Sequence, residues 1–235
     1  MRSIAGPLAF AAALFLLAAC VTAPNTPLDK AQQLSSIAVA TPDVPERAFI
    51  FQAASGQKAA VALAGVLGGI AIAAVQADRQ GKFKLMAEAH GFSARDALSE
   101  ALVKAMPQSA APSQITVERA KRGYLRSLPS QITADTLLDV TVTAYGYSEA
   151  HGDTVWRPTI ALRCRLVRPS DGKVLMESAI ESNAFPRTKG ATKLTPLDDY
   201  SFKTFDAILA DPDRALAGLR EEFAVASAAI AAKLQ

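Results

Sequence analysis

Cysteine and histidine are rare in this chain, and their scarcity limits the chemistry it can support. Its 235 residues include two cysteines and two histidines. His90 and His151 stand without the HxxxH, HxH or CxxC spacings that hold a metal ion. His151 lies between Glu149 and Asp153, where a solvated turn is the simpler interpretation. We therefore predict no metal site and no cofactor.

Familiar catalytic and phosphate-binding motifs are also missing. The chain has no Gly-Lys-Ser/Thr phosphate loop and no Gly-x-Ser-x-Gly nucleophile elbow. Enzymes that do acid–base or nucleophilic work usually carry a cluster of His, Cys, Asp or Glu, and none stands out in this sequence. We expect a protein that is not an enzyme, with a hydrolase as a distant alternative.

Charge of one sign is concentrated at one place only. The formal net charge of +3 is too small and too dispersed to indicate nucleic-acid binding. The exception is a basic cluster of Arg119, Lys121, Arg122 and Arg126 around Tyr124. It could bind anionic lipid headgroups or a sulfated or phosphorylated glycan, or it could be an ordinary solvated loop.

The N-terminus carries a signal for export. Arg2 precedes an apolar run over residues 8–19, which ends in small residues just before a cysteine. This organisation is typical of a secretory signal peptide, which we place at residues 1–19. The motif Leu17-Ala18-Ala19-Cys20 resembles the lipobox of bacterial lipoproteins. The resemblance implies that Cys20 is acylated and anchors the mature chain to a membrane. An ordinary secreted protein is the alternative.

Residues 20–33 are interpreted as the lipidated cysteine and a polar, proline-bearing tether, with a reach of about 40 Å when extended. Among lipoproteins, aspartate after the cysteine resembles an inner-membrane retention signal, so Val21 favours the outer membrane of a Gram-negative cell. We expect residues 34–235 to form a single periplasmic domain held there by lipid. If Cys20 carries lipid, Cys164 has no partner, and no disulfide framework is available.

A stretch without charge, residues 59–77, is the second conspicuous feature. Gly65, Gly68 and Gly69 lie at its middle, and Gly65-x-x-x-Gly69 is a spacing that lets helices approach closely. Three interpretations stay open: a helix packed on the domain's own sheet, a hairpin that contacts a membrane or another subunit, and a spanning helix. As a site hypothesis, the three glycines contact a partner or the membrane, and the stretch serves a protein partner or self-association.

Period-two alternation makes residues 136–183 the clearest part of the chain. Three stretches, which include Leu138, Ile160 and Val174, alternate apolar and polar side chains and predict an antiparallel meander. An earlier strand is predicted at residues 36–40, and helices follow it and end the chain. The predicted fold class is α+β, with a mixed, largely antiparallel sheet. This sheet consists of the meander plus the N-terminal strand, packed by helices on one face.

The last hairpin of the meander also predicts its register. Pairing Leu166 with Met176 puts apolar side chains together and points Cys164 into the core. On the outer face, Arg165 then stands opposite Glu177, where we expect a surface ion pair. A shift of one residue would set Leu166 against Glu177, so this register is well determined.

Aromatic residues flank the first turn of the meander. Tyr145, Tyr147 and Trp156 could line a ligand face, and we keep them as a possible one. Tyrosines on the outer side of a strand are also frequent where another layer covers them.

Several of these features together resemble the small α/β domains of bacterial envelope lipoproteins related to the curli-secretion lipoprotein and the N-terminal domain of TolB. The features are the lipobox, the strand at 37–40 with the helix after it, the strand at 139–147 and the hairpin at 162–175. The resemblance implies an envelope location. We expect a binding or assembly factor in envelope biogenesis, transport or integrity. The alternative is a glycan- or lipid-binding module.

Overall fold

The computed structural model describes residues 25–29, 34–52, 74–149, 154–183 and 188–235. In these ranges the chain forms a seven-stranded sheet and four helices. The strands are β1 Ile37–Ala40, β2 Phe49–Gln52, β3 Ser113–Ile115, β4 Thr136–Glu149, β5 Trp156–Val167, β6 Val174–Ser182 and β7 Thr192–Lys193. The helices are α1 over residues 74–89, α2 Ala94–Ala105, α3 Phe205–Ala210 and α4 Pro212–Ala231. The predicted sites at Cys20, Gly65, Gly68 and Gly69 lie outside the described residues and stay predictions.

The predicted meander is confirmed, because β4, β5 and β6 pair antiparallel in chain order. Leu166 lies opposite Met176, and Cys164 lies opposite Ser178, as the apolar pattern requires. Cys164 is fully buried, and burial raises the pKa of its thiol to about 12. The thiol is therefore a small core side chain and not a nucleophile at neutral pH.

Two short strands share one side of β4. β1 runs parallel to the first part of β4, and β2 runs parallel to its last part. Between them, Asp43 bridges to Thr141 through the backbone. Gly146 has a φ of 144°, and a side chain there would collide with the carbonyl oxygen of Phe49, so the close approach of β2 requires glycine. The complete order is β3-β1-β4-β5-β6-β7, with β2 added on β4.

Helices cover one face of this sheet, as predicted. α4 turns an apolar stripe of buried side chains toward the core: Leu216, Leu219, Phe223, Ala226 and Ile230. α2 packs beside α4 and begins at Ser93, whose hydroxyl accepts a hydrogen bond from the Asp96 amide. α1 buries Phe83 and Ala87 against the same core. The α+β class and the helix-covered face are therefore confirmed.

The opposite face is covered as well, which the alternating pattern did not predict. Residues 116–135, here called the cover segment, contain no helix or strand and cross the first half of β4. Leu125 of this segment packs with Ala38, Ala40 and Leu137 in a second hydrophobic cluster. Asp139 is fully buried for the same reason. The expectation that the outer side of the meander faces solvent is therefore wrong over this half of the sheet.

The predicted surface pair of Arg165 and Glu177 is also wrong, although their backbone positions are opposite each other. Arg165 instead donates to the carboxylate of Asp139 on β4. Glu177 pairs with Arg163, at 3.6 Å. Because the cover segment encloses Arg165, its guanidinium turns to the buried carboxylate rather than to solvent.

Part of the predicted tether lies on the edge of the sheet. Residues 25–29, here called the clasp, run antiparallel to β6 at Thr26. Thr26 donates its amide to the Glu177 carbonyl at 2.9 Å and accepts from the Glu177 amide at 3.0 Å. Leu28 packs against the core. These five residues therefore belong to the folded unit.

Candidate functional site

The described helices and charged clusters give few starting points for a site. No described helix is long and apolar enough to cross a membrane. Within the same ranges, no group of three or more His, Cys, Asp or Glu side chains is placed to hold a metal ion. Binding surfaces and cavities are therefore the features to compare.

All three aromatic residues of the predicted ligand face are buried side chains of the main core. Tyr147 is fully buried, and its hydroxyl donates to the Ala215 carbonyl at 2.9 Å. Trp156 is 2% exposed, and its ring lies 5.9 Å from the ring of Phe205. Helices α3 and α4 are the layer that covers them, so neither offers an open face to a ligand. Tyr145, 8% exposed, borders a cavity.

This first cavity, of about 370 Å³, lies between α1, the start of α2 and the connection from β1 to β2. Val44, Phe83 and Tyr145 form the apolar part of its wall. Glu46, Lys84, Glu88, Arg95 and Asp96 put charges of both signs at its mouth. Every buried polar side-chain atom among its described lining residues has a hydrogen-bond partner. Nothing in this wall therefore calls for a polar ligand.

The basic cluster predicted around Tyr124 is divided by the fold. Lys121 and Arg126 are exposed, whereas Arg119 turns inward. The Arg119 guanidinium donates to the Asp139 carboxylate at 2.8 Å and also to two backbone carbonyls. Arg119 is therefore occupied by the protein itself and is not available to an anionic partner.

Asp139 is the centre of this internal cluster, here called the aspartate clamp. One carboxylate oxygen accepts from Arg119, and the other accepts from Arg165 and from the Leu125 amide at 2.8 Å. Arg165 also donates to the Leu125 carbonyl at 2.5 Å, and its guanidinium lies 4.6 Å from the Tyr124 ring centre. The clamp thus fastens the cover segment to the sheet by charge-assisted hydrogen bonds.

Asp43 makes a second attachment of the same kind, next to the break between β1 and β2. Its carboxylate accepts from the Gly123 amide at 2.7 Å and from Arg122 at 3.3 Å. Arg122 also donates to the Val142 carbonyl at 2.6 Å. The Arg122 side chain is nevertheless 53% exposed, so part of its guanidinium faces outward.

A second cavity, of about 410 Å³, opens beside Arg122 on this face and is here called the arginine cavity. It is lined by Asp43, Arg122, Gly123, Tyr124, Thr141, Val142, Thr143 and Arg163. Three of these residues carry a buried polar atom without a hydrogen-bond partner: the Thr141 hydroxyl, the Tyr124 hydroxyl and Nε of Arg163.

All three of these atoms can donate a hydrogen bond. Burial, with a smaller contribution from the nearby Glu177 carboxylate, raises the pKa of Tyr124 far above its ordinary value, so the phenol keeps its proton. Such unsatisfied buried donors are uncommon in native structures and ask for an explanation. A ligand rich in acceptor oxygens would satisfy them.

Sequence reasoning found Arg122 and Tyr124 but missed the strand residues of this cavity. Thr141 and Arg163 pair directly across β4 and β5, on the same side as Asp139. The period-two pattern places these three side chains together. The signal was therefore present, but the outer face was assigned to solvent.

Helix α1 offers a different kind of surface. Its buried side carries Phe83 and Ala87. Leu85 lies midway between them in the sequence but points away from the core, and it is 68% exposed. Val75, near the start of the described part of α1, is 49% exposed. Val75 also belongs to the charge-free stretch 59–77, so the described end of that stretch presents an apolar side chain to the surroundings.

Comparisons with known proteins assign no family to the chain. No family model matches it, and no curated protein matches it.

Solved structures give weak likenesses. A protein from Xanthomonas campestris described by the family model DUF330 is 13% identical, with 89% of this chain and 90% of that chain covered and a TM-score of 0.42. The PelC dodecamer from Paraburkholderia phytofirmans is 12% identical, with 91% and 96% covered and a TM-score of 0.38. A lipoprotein from Neisseria meningitidis is 18% identical, with 63% and 81% covered and a TM-score of 0.23. The resemblance to the curli-secretion and TolB types is not confirmed by these matches and stays a prediction.

Proposed function

We propose that this protein is a lipid-anchored lipoprotein on the periplasmic face of a Gram-negative outer membrane. In this proposal it acts by binding a protein partner or a second copy of itself, as an assembly, transport or integrity factor of the envelope, and not by catalysis. The observation that carries the binding role is the exposure of Val75, at the end of a stretch of 19 residues without charge, and of Leu85 further along α1.

The packing of α1 supports a binding role. Over its 16 described residues, the buried side chains are Phe83 and Ala87. In folded proteins, most of the stability of a helix comes from the packing of one face. The opposite side, with Leu85, remains available for a second contact. Val75 and Leu85 are exposed on a face that also carries the ion pairs Lys82–Asp78 and Lys84–Glu88, so a partner here would meet apolar and charged side chains together.

In vivo photo-crosslinking tests the partner surface. A photoreactive residue replaces Leu85 or Val75, and the control variant carries it at Val174, which is 37% exposed on β6. The expected result is a defined crosslinked product, identified by mass spectrometry, from the two α1 positions and not from Val174. The same products from all three positions, or none from α1, would contradict the proposal.

The glycine-rich stretch gives a second test of the same surface. Gly69→Leu should block close approach of a partner while the purified monomer melts normally, and assembly or activity should fail. A loss of monomer stability of about 1–3 kcal/mol would instead indicate that the stretch packs on its own domain. In that case the partner surface would have to lie elsewhere.

The anchor is tested separately. Cys20→Ser should abolish acylation and release the protein, or stall its precursor, in a membrane fractionation. Cys164→Ser is the matched control, because that cysteine is buried in the core and should not affect fractionation. A Cys20→Ser variant that still fractionates with the membrane would refute the lipoprotein assignment.

A ligand-binding module for glycan or lipid is the second candidate function, and the arginine cavity is the observation that favours it. The unpartnered donors of Thr141, Tyr124 and Arg163 suit a sulfated or phosphorylated glycan or a lipid headgroup. Calorimetric titration with a sulfated oligosaccharide and its unsulfated counterpart tests this candidate. Arg163→Ala should weaken binding of the sulfated probe without loss of stability. Equal binding by the variant would exclude this cavity.

A further inference from the structure

The clasp is joined to the sheet by backbone hydrogen bonds, and its Leu28 side chain reaches the core. Thr26 and Glu177 exchange two hydrogen bonds at 2.9 and 3.0 Å, as residues in an antiparallel ladder do. Leu28 is partly buried against the main core. Together with Met176 and the end of α4, the clasp borders a cavity of about 230 Å³. The attachment therefore has an apolar component besides the two hydrogen bonds.

The edge of β6 is occupied at two neighbouring places. The clasp takes the position opposite Glu177, and β7 takes the positions opposite Ile180 and Glu181. Because the clasp runs antiparallel to β6, its first residue lies on the side of β7. The chain that leads back to Cys20 therefore starts from the middle of this edge, beside β7.

The chain length between the anchor and the clasp is short. Four residues, 21–24, separate Cys20 from Asn25. Whatever their conformation, they cannot span more than about 18 Å. A tether released from the sheet as far as residue 33 would reach about 40 Å. With the clasp attached to β6, the domain is held at the membrane surface. With the clasp released, the domain can lie at a distance from it.

We propose that the clasp holds the edge formed by β6 and β7, with the end of α4, against the lipid headgroups. This inference rests on the proposed acylation of Cys20. Charges of both signs lie along the same edge: Lys189 and Lys233 are cationic, Lys193 on β7 binds Glu181, and Asp29 of the clasp is anionic. Lipid headgroups are the occupant because an acylated Cys20 lies in the bilayer surface and the four residues before the clasp keep this edge within about 18 Å of it. The opposite edge, with β3, faces the periplasm.

Two insertions of equal length test the clasp. A Gly-Ser segment of about ten residues, with a root-mean-square length of about 17 Å, is placed between Pro24 and Asn25 or between Lys30 and Ala31. Both variants lengthen the chain between Cys20 and β1 equally, but only the first lengthens the part before the clasp. The full acylated protein is reconstituted in vesicles of phosphatidylethanolamine and phosphatidylglycerol that carry a headgroup acceptor dye. A donor dye is attached at Ala228→Cys, an exposed position of α4.

The insertion before the clasp should lower energy transfer to the headgroups, and the insertion after it should leave transfer as in the unmodified chain. An equal decrease in both variants would show that the clasp does not hold, and no decrease in either would show that other contacts set the distance. Either result overturns the inference. Acylation is checked first by mass spectrometry, so that failure of the anchor is distinguished from failure of the clasp.

Hydrogen exchange gives a readout that does not depend on lipid. The Glu177 amide donates to Thr26 and should be protected, and Thr26→Pro, which removes the donor to the Glu177 carbonyl, should speed its exchange by about tenfold or more. The Leu166 amide, in the core of the meander, should be unaffected. Fast exchange of Glu177 in the unmodified chain would contradict the clasp whatever the state of Cys20.

Discussion

Replacing Arg165 by alanine should destabilise the fold far more than the same change at Arg163, although both side chains lie on the same side of β5. Arg165 donates to the Asp139 carboxylate at 3.1 and 3.2 Å and to the Leu125 carbonyl at 2.5 Å. Its truncation removes these bonds at once, together with the contact to the Tyr124 ring. It also loosens the cover segment from the sheet.

The size of the effect follows from the burial of Asp139, whose side chain has no exposure. Removing one partner of a buried ion pair leaves an uncompensated charge and typically costs about 3–5 kcal/mol. Arg119 and the Leu125 amide would still bind the carboxylate, so the lower end, about 3 kcal/mol, is expected. Arg163 is 42% exposed and lies 3.6 Å from Glu177, a geometry that contributes about 0–1 kcal/mol.

Urea unfolding followed by circular dichroism measures both variants. Arg165→Ala should lower the midpoint markedly, with an unchanged dependence of the unfolding free energy on urea, and Arg163→Ala should remain close to the unmodified protein. Equal midpoints for the two variants, or a larger loss at Arg163, would refute the assignment of Arg165 to the aspartate clamp.

Three further predictions concern the core. Burial raises the pKa of the Glu222 carboxyl to about 7, so its ionisation opposes folding. The free energy of unfolding should therefore fall by about 3 kcal/mol as pH rises from about 4.5 to 7. Glu222→Gln should abolish this decrease, which urea unfolding at about pH 4.5 and at about pH 7 would measure. Gly218→Ala should lower the melting temperature, because the new methyl group would lie 2.7 Å from the Tyr147 hydroxyl. Gly81 has open space around it, so Gly81→Ala should lower the melting temperature only a little or raise it. Leu166→Asp should unfold the domain in circular dichroism, since it puts an unpaired charge at a fully buried position, and a folded variant would contradict the register.

The register of the last hairpin could be predicted because a single constraint determines it. A slip of one residue would place Leu166 against Glu177 and turn apolar side chains outward. The stripe on α4 and its start at Asp211 obey equally local rules, apolar spacing and capping chemistry. Where a short stretch of sequence carries its own period or cap, the prediction agrees with the structure.

The outer face of the sheet could not be predicted, because the residues that cover it have no period. The contact of Arg119 with Thr41 joins positions 78 apart, and that of Arg122 with Asp43 joins positions 79 apart. In the sequence, arginines between polar residues look like a solvated loop. Their inward orientation follows only from the buried carboxylates that they meet in the folded chain.

The clasp has no sequence signature for a related reason. Its pairing with β6 is a backbone contact at one residue, and backbone groups are the same in every residue. The prolines around it were the stronger local signal and indicated a tether. For the arginine cavity, the period of β4 and β5 would have brought Thr141 and Arg163 together, had the outer face not been assigned to solvent.

The position of β1 has a consequence for how the chain acquires its fold. β1 is fully buried and lies between β3 and β4, parallel to both. The Thr136 hydroxyl donates to the Ser36 carbonyl, a contact that joins positions 100 apart. A chain that emerges N-terminus first therefore exposes an apolar strand for the whole time needed to deliver β4. Such late closure makes refolding slow and aggregation-prone, which stopped-flow kinetics would measure, and it makes a chaperone that shields residues 37–40 useful until their partners arrive.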